Sequence, residues 1–325
     1  MKFTPLVRLT DKGLFCETGG FYVDPNKSVD KALITHAHSD HARPGSLSYL
    51  TVKQGERLLK QRLGSRINLQ TLNYSETVYF NGVKVSFHPA GHILGSSQIR
   101  IEYKGEVCVI SGDYKLEDDL TCEKFEPVKC NTFITESTFG LPIFKWCSQD
   151  LLFSEINSWW RLNKDLNVVS IIFGYSIGKS QRIISGLDLS IGTIFVHPVI
   201  ESINQCYRDT GIKLPGTKNV NELSSIDPPS GTLIIAPPTA DIFQMIGKPR
   251  NFSSAFASGW MQIRKNRKRN SFDRGFTLSD HADWDGLLQA VKETQAENIL
   301  ITHGYSSPLA RWFGENGFNA GVLES

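Results

Sequence analysis

Four side chains able to bind a metal lie within six residues: His36-Ala37-His38-Ser39-Asp40-His41 follows directly on the apolar run Ala32-Leu33-Ile34. In an extended segment alternate side chains point the same way, so His36 and His38 can converge on one ion, with Asp40 and His41 turned toward a second. Neutral imidazole with carboxylate suits zinc, or manganese or iron, better than calcium or magnesium, which prefer all-oxygen shells. Without a cation, so dense a cluster repels itself and loses solvation. A solvated surface loop is the bland alternative.

The elements that must hold such a cluster follow an α/β pattern throughout. Val83, Val85 and Phe87 alternate with polar neighbours as a half-buried strand should, and that run ends at His88-Pro89-Ala90-Gly91-His92. Segments 98–103 and 106–110 flank the Lys104-Gly105 turn of an expected hairpin and lead into Ser111-Gly112-Asp113. Phe133-Ile134-Thr135 runs into Glu136, and Ile299-Leu300-Ile301-Thr302 into His303. A strand ends and a ligand-type residue appears, which is where open α/β sheets build their sites. Of the eight histidines, His36, His38, His41, His92, His281 and His303 occupy such ends or adjacent turns. His88 and His197 each sit beside a proline without a partner motif, and a structural or hydrogen-bonding role is expected for both.

Composition sets the frame. A chain of 325 residues is long enough for one large or two ordinary domains, and a formal charge of +2 is too small to argue a polyanionic partner by itself. Cys16, Cys108, Cys122, Cys130, Cys147 and Cys206 form no Cys-x-x-Cys pair, so free thiols in a reducing, cytoplasmic setting are expected. No leader pattern opens the sequence and no apolar run reaches membrane-spanning length, which excludes a membrane partner from the reading.

Charge is concentrated in one place. Arg264, Lys265, Arg267, Lys268 and Arg269 crowd six positions, and Arg274 follows. Such a block repels itself unless an anion approaches, and is read as a nucleic-acid backbone contact rather than a solvated loop. Upstream, Leu151, Leu152, Ile156, Trp159 and Trp160 suit one apolar helix face, with the tryptophans as core rather than a base-stacking platform. Gly174-Tyr175-Ser176-Ile177-Gly178-Lys179-Ser180 copies the end of a phosphate loop but has three residues between its glycines where that loop needs four, so nucleoside triphosphate binding is rejected. Lys179 is left as a candidate contact to a nucleic-acid phosphate.

Together these segments resemble the metallo-β-lactamase fold, and specifically its nuclease branch, the β-CASP family. The hexapeptide resembles the family's second motif, Gly91-His92 the third and Gly112-Asp113 the fourth, while Asp24 in Tyr22-Val23-Asp24-Pro25 resembles the first. Thr135-Glu136-Ser137-Thr138 resembles motif A, Ser279-Asp280-His281-Ala282-Asp283 motif B, and Thr302-His303-Gly304 motif C. The segment 33–45, Gly259-Trp260-Met261 and Asp273-Arg274-Gly275-Phe276 further resemble the bacterial DNA ligase-associated exonucleases.

The resemblance implies an αββα sandwich from residues 1–145 and 271–325, with a smaller α/β domain, 146–270, inserted. It implies two divalent metal ions, zinc first and manganese as the alternative. His36, His38 and His92 would hold one ion, Asp40, His41 and His303 the other, with Asp113 bridging. Asp24 would orient the ligand loop, Glu136 would orient the site, and His281 would contact the phosphate or protonate the leaving oxygen. The implied activity is a DNA exonuclease (a hydrolase) linked to DNA repair and to association with a DNA ligase. An RNA-processing ribonuclease is the alternative, since a histidine at motif C is commoner among RNA-processing members. A hydrolase of small esters or lactams shares the metal motifs but needs neither the insertion nor motif B.

Overall fold

The computed structural model describes residues 6–223, 228–263 and 272–323. The chain divides into two compact units, Met1–Phe144 with His281–Ser325, and Lys145–Asp280. Among the described residues no helix is long and apolar enough to cross a membrane.

The first unit carries two sheets. One runs in chain order through β1 (Arg8–Thr10), β2 (Gly13–Cys16), β3 (Phe21–Val23), β4 (Lys31–Leu33), β5 (Ser48–Val52) and β6 (Leu69–Leu72). The other is ordered β19 (Asn319–Val322), β18 (Asn298–Gly304), β11 (Thr132–Ser137), β10 (Glu106–Ile110), β9 (Ser97–Tyr103), β8 (Val83–Pro89), β7 (Thr77–Phe80). The two-residue side-chain period of a strand explains how these sheets layer. Cys108, Ile110 and Ile134 join Leu33, Leu50 and Phe87 in a core between the sheets, whereas Val109, Phe133 and Ile299 face the other way. There they meet Leu287 and Val291 of the helix Trp284–Thr294 and Leu309 and Phe313 of the helix Ser306–Glu315. On the far side of the first sheet, Ala32, Ile34 and Tyr49 pack on Leu59 of the helix Glu56–Leu63. Helix, sheet, sheet, helix is therefore the layering of this unit. The expected hairpin is present: Tyr103 pairs with Glu106, and Lys104 (φ 52°) and Gly105 (φ 85°) take the two left-handed positions of a tight turn.

The second unit is built on one sheet of parallel pairs, ordered β14 (Lys218–Asn219), β13 (Thr193–Val196), β15 (Thr232–Ala236), β12 (Val169–Phe173), β16 (Phe252–Ala257), β17 (Arg274–Phe276). Parallel strands are covered on both faces, and here Ile172, Leu233 and Val196 face one core while Ile171, Ile234 and Phe195 face another. Trp159 and Trp160 of the helix Gln149–Asp165 lie in the first of these cores, as expected for core residues. Leu151 departs from its expected place on that face and is exposed, one position off the stripe that Leu152 and Ile156 define.

The second junction between the units falls after Asp280 rather than after residue 270. β17 extends the sheet of the second unit, with Ala255 opposite Arg274, and Phe276 and Leu278 complete its core. A three-residue strand that follows a basic run carries too little periodicity to be seen in advance.

Candidate metal centre

Ligand-type residues gather at strand ends of the first unit. β4 delivers the segment 36–41, β8 leads to His92, β10 to Asp113, β11 carries Glu136 and β18 carries His303. Gly91 makes the approach of His92 feasible: its φ is 75°, and a Cβ there would stand 2.2 Å from the Lys115 carbonyl oxygen.

His36, His38, His92 and Asp113 form one group whose donor atoms all lie within 4.8 Å of one another. His38 Nδ1 is 3.1 Å from His36 Nε2 and 3.0 Å from His92 Nε2. Asp113 Oδ2 is 3.5 Å from His36 Nε2 and 3.7 Å from His92 Nε2. Two nitrogens held by a tetrahedral ion at about 2.0–2.1 Å lie about 3.3 Å apart, so the spacing suits a divalent cation. A proton shared between two rings satisfies one pair; a cation satisfies the whole group. Burial, with His41 close by, pushes the His36 imidazole well below its ordinary range and keeps it a neutral donor.

His41 and His303 also approach this carboxylate, with the exposed Asp40 beside His41. His41 Nε2 is 3.5 Å from Asp113 Oδ2 and 3.7 Å from Asp40 Oδ2, while His303 Nε2 is 3.4 Å from Asp113 Oδ1. Burial alone would raise the Asp113 carboxyl, but His41, His281 and His303 hold it well below the usual carboxylate range. Burial likewise opposes protonation of His41 and His303, yet Asp113 raises both, joined by Asp24 at His41. Positive charge is what this carboxylate attracts, and imidazoles approach both of its oxygens.

Asp24 lies behind the ligands. Its Oδ2 accepts from His41 Nδ1 at 2.7 Å and from the Thr35 hydroxyl at 2.5 Å, and its Oδ1 accepts from the Thr35 backbone N–H at 2.8 Å. The Thr35 hydroxyl is in turn 3.1 Å from His36 Nδ1. This network assigns the proton to Nδ1 in both rings and aims Nε2 of both at Asp113, the orientation that a metal ligand needs.

Glu136 is a buried junction. Its Oε1 accepts from the Tyr114 N–H at 2.9 Å and its Oε2 from the Thr138 N–H at 3.2 Å, and His281 Nδ1 lies 2.9 and 3.1 Å from the two oxygens. Asp113, Glu136 and His281 also come within 4.8 Å of one another. With both Glu136 oxygens engaged, the pair reads as a carboxylate orienting an imidazole rather than as a third donor group. The His281 ring stands 4.6 Å from the His92 ring, with Phe139 at 5.9 Å.

Arg264, Lys265, Arg267, Lys268 and Arg269 lie outside the described residues. Arg274 is half-exposed and bonds Glu155 at 2.5 Å. Lys179 corrects the expectation of a phosphate contact: it is buried, its Nζ 2.8 Å from Asp280 Oδ2 and 2.9 Å from the Leu278 carbonyl oxygen. His88 bonds Ser86 at 3.0 Å, and His197 Nδ1 accepts from Val199 N–H to cap the helix Pro198–Asp209, the expected structural roles. Cys16, Cys108 and Cys130 are buried free thiols.

Sequence reasoning missed Thr35, which links Asp24 to His36, and the support that Lys179 gives Asp280. Thr35 had a signal, its place between a strand end and the first ligand. Lys179 had none, since Asp280 is distant in sequence.

No protein-family model matches the chain. At 27% identity, 96% of the chain aligns with 30% of a probable DNA ligase from Opitutus terrae. At 36% identity, 75% of it aligns with 39% of the endoribonuclease YSH1 of Kluyveromyces lactis. At 29% identity, 42% of it aligns with 38% of an RNase J-like protein from Methanocaldococcus jannaschii. The chain spans well under half the length of these curated relatives.

Proposed function

Because the chain belongs to the β-CASP nucleases of the metallo-β-lactamase fold, we propose that it is a metal-dependent phosphodiester hydrolase acting on nucleic acid, and a DNA exonuclease in particular. One observation carries this reading: His36, His38, Asp40, His41, His92 and His303, drawn from three strand ends, all face the single carboxylate of Asp113 or one another at 3.0–3.7 Å. In it the unit Lys145–Asp280 is the β-CASP insertion.

His36, His38 and His92 would hold one divalent ion and Asp40, His41 and His303 a second, with Asp113 shared; zinc fits the nitrogen-rich donor set, manganese being the alternative. Such ions supply an acidified water as nucleophile and positive charge against the scissile phosphate. Asp24 orients His41 directly and His36 through Thr35. Glu136 fixes the proton of His281 on Nδ1, which leaves Nε2 to donate a hydrogen bond to the phosphate or a proton to the departing oxygen when the ring is charged. The basic run Arg264, Lys265, Arg267, Lys268, Arg269, with Arg274, would track the backbone without reading sequence.

DNA is favoured because a relative that aligns with nearly the whole chain is a probable DNA ligase, and a functional link to a ligase in repair goes with that reading. RNA is the second reading, supported by the endoribonuclease and RNase J-like relatives. Matched end-labelled DNA and RNA strands, incubated with zinc or manganese, separate the two. Stepwise shortening of DNA from one end is expected, and is abolished by Asp113→Asn. Preference for RNA would replace the DNA reading, and turnover of small esters or lactams with neither polynucleotide cut would overturn the nuclease assignment.

A further inference from the structure

β11 and β18 pair in parallel and in step from Thr132 opposite Asn298 to Thr135 opposite Ile301, and then the pairing jumps to Ser137 opposite Gly304. Two steps along β11 are matched by three along β18, a β-bulge that sets Thr302 and His303 against Glu136. Side chains alternate along a strand, and Ile299 and Ile301 face the helix-side core while Leu300 faces the core between the sheets. An unbroken β18 would send His303 after Ile299 and Ile301 into apolar packing. A bulge re-aims the side chain, and His303 instead stands 46% exposed with Nε2 3.4 Å from Asp113 Oδ1.

The bulge is held by one side chain. Ser137 is fully buried, and its hydroxyl donates to the His303 carbonyl at 2.5 Å and lies 3.1 Å from the Thr302 carbonyl. Its own carbonyl accepts from the Tyr305 N–H at 2.8 Å. Gly304 closes the turn at φ 84°, where a Cβ would meet the Ser137 carbonyl oxygen at 2.3 Å. Ser137 therefore contacts the backbone on both sides of the His303 side chain and the residue beyond Gly304.

We infer that Ser137 is a positioning residue: through its clamp on the Thr302–Tyr305 backbone it sets His303 as a ligand of the ion held with Asp40 and His41. The inference rests on the two-ion reading above, and its test separates the two. In metal-stripped protein, imidazole NMR of Ser137→Ala should show the His303 resonances displaced while those of His36 and His92 stay in place. Zinc titration followed by metal analysis should show two ions per wild-type chain, and in the variant a second ion bound about 10–100-fold more weakly with the first unchanged. Ser137→Cys fills nearly the same volume with a weak donor and should show the same loss without a void. Unmoved His303 signals with both affinities intact, or equal weakening of both ions, overturns the inference. A wild type that takes fewer than two ions counts against the two-ion reading, and the metal-stripped spectra then still decide the role of Ser137.

Discussion

Replacing Asp24 by asparagine tests the arrangement at its most economical point, because the residue touches the proposed ligands only from behind. The change keeps the size of the side chain and an oxygen for the Thr35 N–H, but removes the charge that faces His41 Nδ1 at 2.7 Å. The two side chains are 11% and 12% exposed, so solvent screens this contact little. A hydrogen bond to a charged group contributes about 1.5–3 kcal/mol. Each tenfold in affinity corresponds to about 1.4 kcal/mol, so the ion held by His41 should bind about 10- to 100-fold more weakly. His36 is reached only through the Thr35 hydroxyl, a neutral link of about 0.5–1.5 kcal/mol, and the other ion should lose no more than about tenfold. Titration of stripped protein with zinc against a chromophoric chelator resolves the two affinities. If Asp24→Asn leaves both within twofold of wild type, or weakens only the ion held by His36, His38 and His92, the orienting role assigned to Asp24 is wrong.

His281→Ala should keep its metal by elemental analysis while losing turnover, whereas Asp113→Asn should lose both; metal loss in His281→Ala would show that His281 is a ligand. Lys179→Met removes one of the two cations beside the buried Asp280 carboxylate, leaving Arg182 at 3.6 Å, and should cost less in urea unfolding than the about 3–5 kcal/mol of a fully uncompensated buried charge. Burial raises the Glu123 carboxyl above its ordinary range, so the folded chain holds that proton more tightly than the unfolded one. Its contribution therefore turns against the fold as pH rises above the ordinary carboxylate range, and Glu123→Gln should raise Tm at neutral pH and flatten the slope of Tm against pH; an unchanged slope would refute this.

What could be read from the sequence was whatever local pattern determines. The hexapeptide stands out because four donor-type side chains within six residues have few other uses, and the rule that ligand-type residues follow strands points to His92, Asp113, Glu136 and His303, which the fold brings near one another. The Lys104-Gly105 turn and the buried Trp159 and Trp160 were legible for the same reason: backbone preference and a 3.6-residue period act over a few residues. Lys179 shows where that reasoning stops. A lysine after glycine looks like a phosphate contact, and nothing local reveals that Asp280 will occupy it.

His303 marks the boundary more sharply, because there local pattern picks out a residue that the structure places beside Asp113, but for an incomplete reason. Alternation along Ile299-Leu300-Ile301-Thr302-His303 puts the histidine on the side of Ile299 and Ile301, which is the helix-side core. It reaches Asp113 because the register with β11 slips by one residue at Glu136, and that slip is held by Ser137, a residue far away in the chain. A one-residue change of register turns a side chain to the opposite face, so a single hydroxyl between strands can decide whether a residue is core or ligand. The spacing of donors in a sequence thus nominates the members of a centre such as this one, while long-range register decides which of them can reach it.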